Sequence, residues 1–138
     1  MAELVIGIFG PTASGKSDVA AALARLLPAE VVSADAMQVY QDVPILTNRS
    51  PYPERLVGIW PLSRAASVGA YAPLAQAAVD EILAAGKTAV VAGGTGLYFR
   101  AALARLELPP PPEPGARERW SRFYDRAGAA AAHARLAT

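Results

Sequence analysis

Cysteine is absent from the chain, so it has no disulfide framework and no thiolate chemistry. Histidine occurs once, as His133 in an alanine-rich run, and reads as a helix-surface residue rather than a catalytic one. No apolar run approaches the roughly 20 residues that a membrane span needs. The N-terminus lacks a basic leader region, and "LVIGIF" is too short for a signal core. A net charge of +1 is too small to announce nucleic-acid or membrane binding through the overall field. These absences lead us to expect a cytoplasmic protein that does not engage a membrane.

What is present is an ordinary globular composition, 53% apolar and 18% charged, over 138 residues. That length suits one domain with a real core and little room for a second. Charge is unevenly spread: residues 1–99 hold six Lys/Arg against eight Asp/Glu (−2), and residues 100–138 hold seven Arg against four acids (+3).

Leu4 to Phe9 is a continuous apolar run, expected to be a strand buried on both faces of a parallel sheet. Val19, Leu23, Leu26 and Leu27 then follow helical spacing from Lys16 onward, and Pro28 closes that helix. "EVVSAD" (30–35) predicts a second strand, residues 41–55 a loop, and "RLVGIWPL" (55–62) a third strand or an edge segment. Tyr71, Leu74, Ala75, Ala78 and Ile82 mark a helix stopped by Gly86. "TAVVAGG" (88–94) predicts a strand, and residues 96–106 a helix after it. Proline fixes φ and lacks a donor, so "LPPPPEP" (108–114) is a stiff connector. Beyond it, Trp120, Phe123, Tyr124, Ala127 and Ala131 share one helical face and Arg119, Arg122 and Arg126 another. Strands alternating with helices predict an α/β fold of three layers, α/β/α, around a mostly parallel sheet. The expected organisation is a core over 1–107, a connector over 108–114 and the start of a helical segment over 115–138.

Three turns carry the chemistry. "GPTASGKS" fits G-x-x-x-x-G-K-[ST], a phosphate-binding loop made of Gly10, Pro11, Thr12, Ala13, Ser14, Gly15, Lys16 and Ser17. Its backbone N–H groups and the following helix N-terminus face an anion. Lys16 adds a full charge, and the Ser17 hydroxyl suits Mg²⁺. In "SADAMQVY" (33–40), Asp35 at a strand tip suits a general base or a metal ligand, or else an N-cap; Gln38 has the amide geometry to pair with an adenine edge. In "AGGTGLYFRA" (92–101), Thr95 sits among three glycines, placed either to bond a phosphate oxygen or to cap the next helix.

Together, in this order and spacing, "GPTASGKS", "SADAMQVY" and "GGTGLYFRA" resemble the tRNA dimethylallyltransferase family, the isopentenyl transferases that modify adenosine in tRNA. The resemblance covers residues 4 to 106 and extends more loosely over 116–137. It implies a P-loop NTPase-like core, incomplete at its C-terminal end, because family members continue into further arginine-rich and helical segments. It implies transfer of a dimethylallyl group from dimethylallyl diphosphate to N6 of the adenosine next to the anticodon. In that reaction Asp35 matches the base, and Thr95 matches a threonine between phosphate and nucleotide. Residues 10–17 match the diphosphate cradle with Mg²⁺, and Asp35, Ala36, Met37, Gln38, Thr95 and Arg117 match the tRNA contacts. The full-length family is expected to be monomeric. Two departures stand out: Ala36 replaces a serine usual in the family, and Glu54 and Arg55 stand where members often carry a histidine pair. The competing readings are a small ATP-dependent P-loop kinase and a non-catalytic homologue that only binds.

Overall fold

The computed structural model describes residues 4–137. They form two compact units divided between Glu107 and Leu108. The first holds a three-stranded sheet, β1 (Val5–Phe9), β2 (Ala29–Ser33) and β3 (Thr88–Gly93), with helices α1 (Lys16–Leu26), α2 (Val68–Ala84) and α3 (Gly96–Leu103). Strand order is β1-β3-β2, and both pairings are parallel. Parallel neighbours need a long crossover, usually made by a helix, which accounts for the strand–helix alternation of the sequence.

Alternation along the central strands makes three layers. Val31, Val90 and Ala92 pack with Ala20 and Leu23 of α1 on one face. Val32, Ala89 and Val91 pack with Tyr71, Ala75 and Ile82 of α2 and with Tyr98 and Ala101 of α3 on the other. The expected α2 face is realised except at Leu74, which is 41% exposed. Ser67 caps α2, its hydroxyl accepting from the Ala70 N–H at 3.2 Å. The Tyr71 phenol, its pKa pushed up by burial, donates to the Ser33 carbonyl at 2.8 Å and so ties α2 to the tip of β2.

Three expectations need correction. The face of α1 turned to the sheet is carried by Ala20, Ala21 and Leu23, whereas Val19 and Leu26 of the expected apolar stripe are 51% and 79% exposed. β1 is not buried on both faces: it ends the described sheet, only β3 pairs with it, and Val5 and Phe9 are 38% and 59% exposed. Continuous apolar character shows that a strand prefers cover, but it does not show how many neighbours supply it. α3 stops at Leu103 rather than Leu106. There the Gln76 amide donates to the carbonyls of Ala101 (3.1 Å) and Ala104 (3.4 Å), capping the helix end from α2.

Of the two readings for residues 55–62, the edge segment holds. Arg55 lies along the outer edge of β2, its N–H donating to Val31 O (2.8 Å) and its carbonyl accepting from the Ser33 N–H (3.0 Å). Its guanidinium reaches Glu30 and Glu81, both at 2.7 Å, and Lys87 adds a third contact to Glu30 at 2.7 Å. The hydrogen bonds from Lys87 and then Arg55 hold the Glu30 carboxyl below its usual range. An acid with a lowered folded pKa stabilises the protein above its unfolded value, near 4.5, and loses that contribution as pH falls through the folded value. Glu30→Gln is therefore expected to destabilise the protein at pH 7 by up to about 1 kcal/mol, the range for partly exposed ion pairs. In urea titrations at successive pH values, the gap between wild type and variant should close below pH ~4.

In the second unit, α4 (Ala116–Leu136) is interrupted at Gly128, whose backbone (φ 80°, ψ 171°) is not helical. The expected apolar face thus runs only through Trp120, Phe123, Tyr124 and Ala127, and Ala131 lies beyond the break. Trp120 and Phe123 meet edge to face at 5.8 Å, and Arg119 lies 3.7 Å from Glu113. No residue of α4 is buried.

Candidate phosphate-binding site

The loop from Gly10 to Gly15 leaves the end of β1 and turns directly into α1. Ala13 and Gly15 adopt left-handed backbone conformations (φ 63° and 85°), the alternation that turns successive N–H groups to one side. Gly15 is the α1 N-cap and offers no side-chain acceptor, so the first N–H groups of α1 keep their capacity for an anion. The Ser14 hydroxyl donates to Pro11 O at 2.8 Å, and the Lys16 ammonium folds back to the same carbonyl.

The second and third turns sit beside this cradle because the strand tips touch. A Cβ at Gly93 would lie 2.1 Å from Ala34 O, so only glycine permits the approach of β3 to residue 34. At Gly94 a Cβ would lie 3.0 Å from Gly10 O and 3.9 Å from the Lys16 nitrogen, which places the third turn against the first. Thr95 Oγ1 accepts from the Ala36 N–H at 3.2 Å, joining the third turn to the second. It does not cap α3, although Thr95 is the N-cap residue.

Asp35 Oδ1 accepts from the N–H groups of Met37 (2.8 Å) and Gln38 (3.3 Å), so the carboxylate does cap the short turn after β2. The same side chain faces a polar cavity of about 320 Å³. Residues Thr12 to Asp18 line one side of it, Ser33, Asp35 and Gln38 another, and Thr47 to Pro51 with Glu54 a third. The Gln38 amide is spent within the chain: its Oε1 accepts from the buried Ser33 hydroxyl (3.2 Å), and its Nε2 donates to the carbonyls of Thr47 (3.4 Å) and Asn48 (3.2 Å). Those bonds pin the 47–50 wall to the tip of β2.

The cavity thus gathers Thr12, Ala13, Ser14, Gly15, Lys16, Ser17, Asp35 and Gln38. Gly10, Pro11, Ala36 and Thr95 belong to the same three turns without lining it, and Met37, which is 54% exposed, does not line it either. Arg117 lies in the first turn of α4, in the second unit, and is exposed. The 41–55 segment, expected only as a loop, supplies the 47–50 wall of the cavity. Its polar run of Thr47, Asn48, Arg49 and Ser50 amid prolines was the available signal. Glu54, expected only as a departure from the family pattern, also lines the cavity. Burial first, and then the negative charge of Asp35, push its carboxyl above the usual range, against a hydrogen bond from Ser50.

Among the described residues no group of three or more His, Cys, Asp or Glu side chains is placed to hold a metal. Those residues form no protein cage, but Ser17 lines the cavity at the cradle, and its hydroxyl is a hard oxygen donor. A single such donor fits Mg²⁺, which keeps several waters and takes its remaining ligands from bound phosphates.

Strand, phosphate loop and helix in this order, on a parallel sheet whose C-terminal tips form the cavity, define a P-loop α/β protein. A family model described as IPP transferase matches residues 38–138, and one described as isopentenyl transferase matches residues 3–69. The chain belongs to the IPP transferase family. It is 46% identical over 141 residues to the tRNA dimethylallyltransferase of Salinispora tropica, and 44% identical to that of Acidothermus cellulolyticus; each alignment covers 98% of this chain and 44% of the relative. Its fold matches the full-length tRNA isopentenylpyrophosphate transferase of Bacillus halodurans with a TM-score of 0.73 at 32% identity, covering 98% of this chain and 47% of that one. A eukaryotic dimethylallyltransferase acting on tRNA matches with a TM-score of 0.67 at 25% identity, covering 91% and 36%. The chain spans less than half the length of the curated relatives it matches.

Proposed function

We propose that the protein carries the catalytic core of a transferase that moves a dimethylallyl group from dimethylallyl diphosphate to N6 of the adenosine adjacent to the anticodon in tRNA, releasing diphosphate. One observation carries this reading: the phosphate cradle and the Asp35 carboxylate line the same cavity.

The bond that breaks is the allylic C–O bond, and its electron pair goes to the leaving diphosphate. The N–H groups of residues 12–17 and the Lys16 ammonium stabilise that growing charge, which is the strategy of an oxyanion hole. The Ser17 hydroxyl would hold Mg²⁺, which would supply further charge neutralisation on the phosphate oxygens. The bond that forms joins N6 to the allylic carbon. An aromatic amine is a weak nucleophile, so Asp35 takes its proton as the new bond forms. The Asx turn fixes Oδ1 and leaves Oδ2 for that proton. Because the adenine must leave its stack, at about a few kcal/mol, a single-stranded anticodon loop is the natural substrate.

Asp35, Ala36, Met37, Gln38 and Thr95 form the tRNA-facing rim, with Ala36 and Thr95 holding the turn shape through their shared hydrogen bond. Arg117 meets RNA phosphates from the helical segment that follows the proline connector. Within this reading residues 1–107 are the catalytic core, 108–114 the connector and 115–138 the start of the tRNA-binding helical part. The reading places the protein in the cytoplasm, with the full-length family monomeric. No helix among the described residues is long and apolar enough to cross a membrane.

The test is transfer of a labelled dimethylallyl group to an anticodon stem-loop. Incorporation at N6 that depends on Lys16 and Asp35 supports the reading. Transfer of the ATP γ-phosphate to an acceptor, without prenyl transfer, replaces it with a kinase.

A further inference from the structure

Arg49 lines the same cavity as the phosphate cradle, on the 47–51 segment. The side chain is half-buried, and its Nε is shielded from solvent with no hydrogen-bond partner, the one such buried side-chain atom among the described residues. Its Nη2 donates to Tyr40 O at 2.7 Å. The guanidinium lies flat against the backbone at Gly58, where an added Cβ would stand 2.8 Å from Nη2. Gly58 also adopts φ 61°, so glycine is required there twice over. None of the ion pairs among the described residues includes Arg49, although Asp18, Asp35 and Glu54 border the same cavity.

A half-buried guanidinium held in place without a carboxylate is costly, and an unsatisfied buried donor calls for an explanation. The charges around the cavity supply one. Lys16 and Arg49 face three carboxyl groups, a sum of −1, so a diphosphate entering the cavity needs every cation the walls can offer. The guanidinium fork suits phosphate oxygens better than any other cationic side chain. We propose that Arg49 is a second phosphate ligand of this cavity, clasped by Tyr40 and Gly58 so that its charge stands ready in the cavity that Lys16 also lines. The inference rests on the transferase reading in taking diphosphate as the first source of that phosphate; the RNA backbone is the other.

Calorimetric titration of the whole chain with Mg²⁺–pyrophosphate, and separately with an anticodon stem-loop RNA, tests it in wild type, Arg49→Met, Arg49→Lys and Lys16→Ala. Melting temperatures are recorded for each protein. Arg49→Met should weaken pyrophosphate binding about tenfold, and Arg49→Lys should recover part of the loss. A loss confined to the RNA arm keeps the phosphate site and assigns it to the RNA backbone. Unchanged affinity in both arms, with only a lowered melting temperature, makes Arg49 a structural clasp and overturns the proposal. If wild type itself binds no pyrophosphate, the cradle reading fails and this inference falls with it, which separates the two failures. Should Arg49→Met not fold, the Arg49 Nε–H resonance of the wild-type protein decides: it moves on pyrophosphate addition if Arg49 is a ligand, and stays fixed on addition of either ligand if it is not.

Discussion

Lys16→Ala should weaken binding of Mg²⁺–pyrophosphate by about 100-fold, since it removes a full charge from a cavity built for an anion. The fold should barely notice. Without ligand the ammonium contacts only the Pro11 carbonyl of the loop itself, and it makes no ion pair among the described residues. Calorimetry with pyrophosphate and a thermal melt of the same protein separate the two effects. Equal affinity in variant and wild type would mean that the loop is a strand-to-helix turn and nothing more.

The second large effect belongs to Asp35→Asn. The amide oxygen can still accept from the Met37 and Gln38 N–H groups, so the turn after β2 should persist. What is lost is a proton acceptor. Under the transferase reading, the rate of dimethylallyl transfer should fall by about 10²- to 10⁴-fold, the usual contribution of a positioned base, while pyrophosphate affinity holds or rises slightly. Removing a negative charge beside an anion site accounts for any gain. A variant that loses pyrophosphate binding and transfer together would make Asp35 a structural residue of the cradle instead.

The parts legible from sequence were those whose cause is local. The phosphate loop needs its glycines within a few residues of a strand end. The α1 helix itself was legible, though not its buried face, and the Gly86 stop lies next to the helix that it ends. For Asp35 a cap and a reactive carboxylate stood as alternatives; the cap was legible because its turn spans only three positions, and the same residue also lines the cavity. Contacts between distant segments stayed hidden. Gln38 looked free to read a base, and only the folded chain brings the Thr47 and Asn48 carbonyls to its amide. Thr95 could be read as a cap or as a phosphate contact; its hydroxyl does not cap α3, and it accepts from Ala36, 59 positions away in sequence. Arg49 and Glu54 acquire meaning only once the 47–54 segment folds over the loop. The end of α3 depends on Gln76 of another helix. Gly128 had a local cue that alanine-rich surroundings masked, because a lone glycine inside such a run is often tolerated in a helix.

Competitive binding of dimethylallyl diphosphate and ATP, each with Mg²⁺, tests the central claim most directly: that the cradle beside Asp35 serves an allylic diphosphate. Our account expects dimethylallyl diphosphate to displace pyrophosphate from wild type and not from Lys16→Ala, with ATP the weaker competitor. ATP binding in strong preference to dimethylallyl diphosphate, followed by loss of its γ-phosphate to an acceptor, would contradict it.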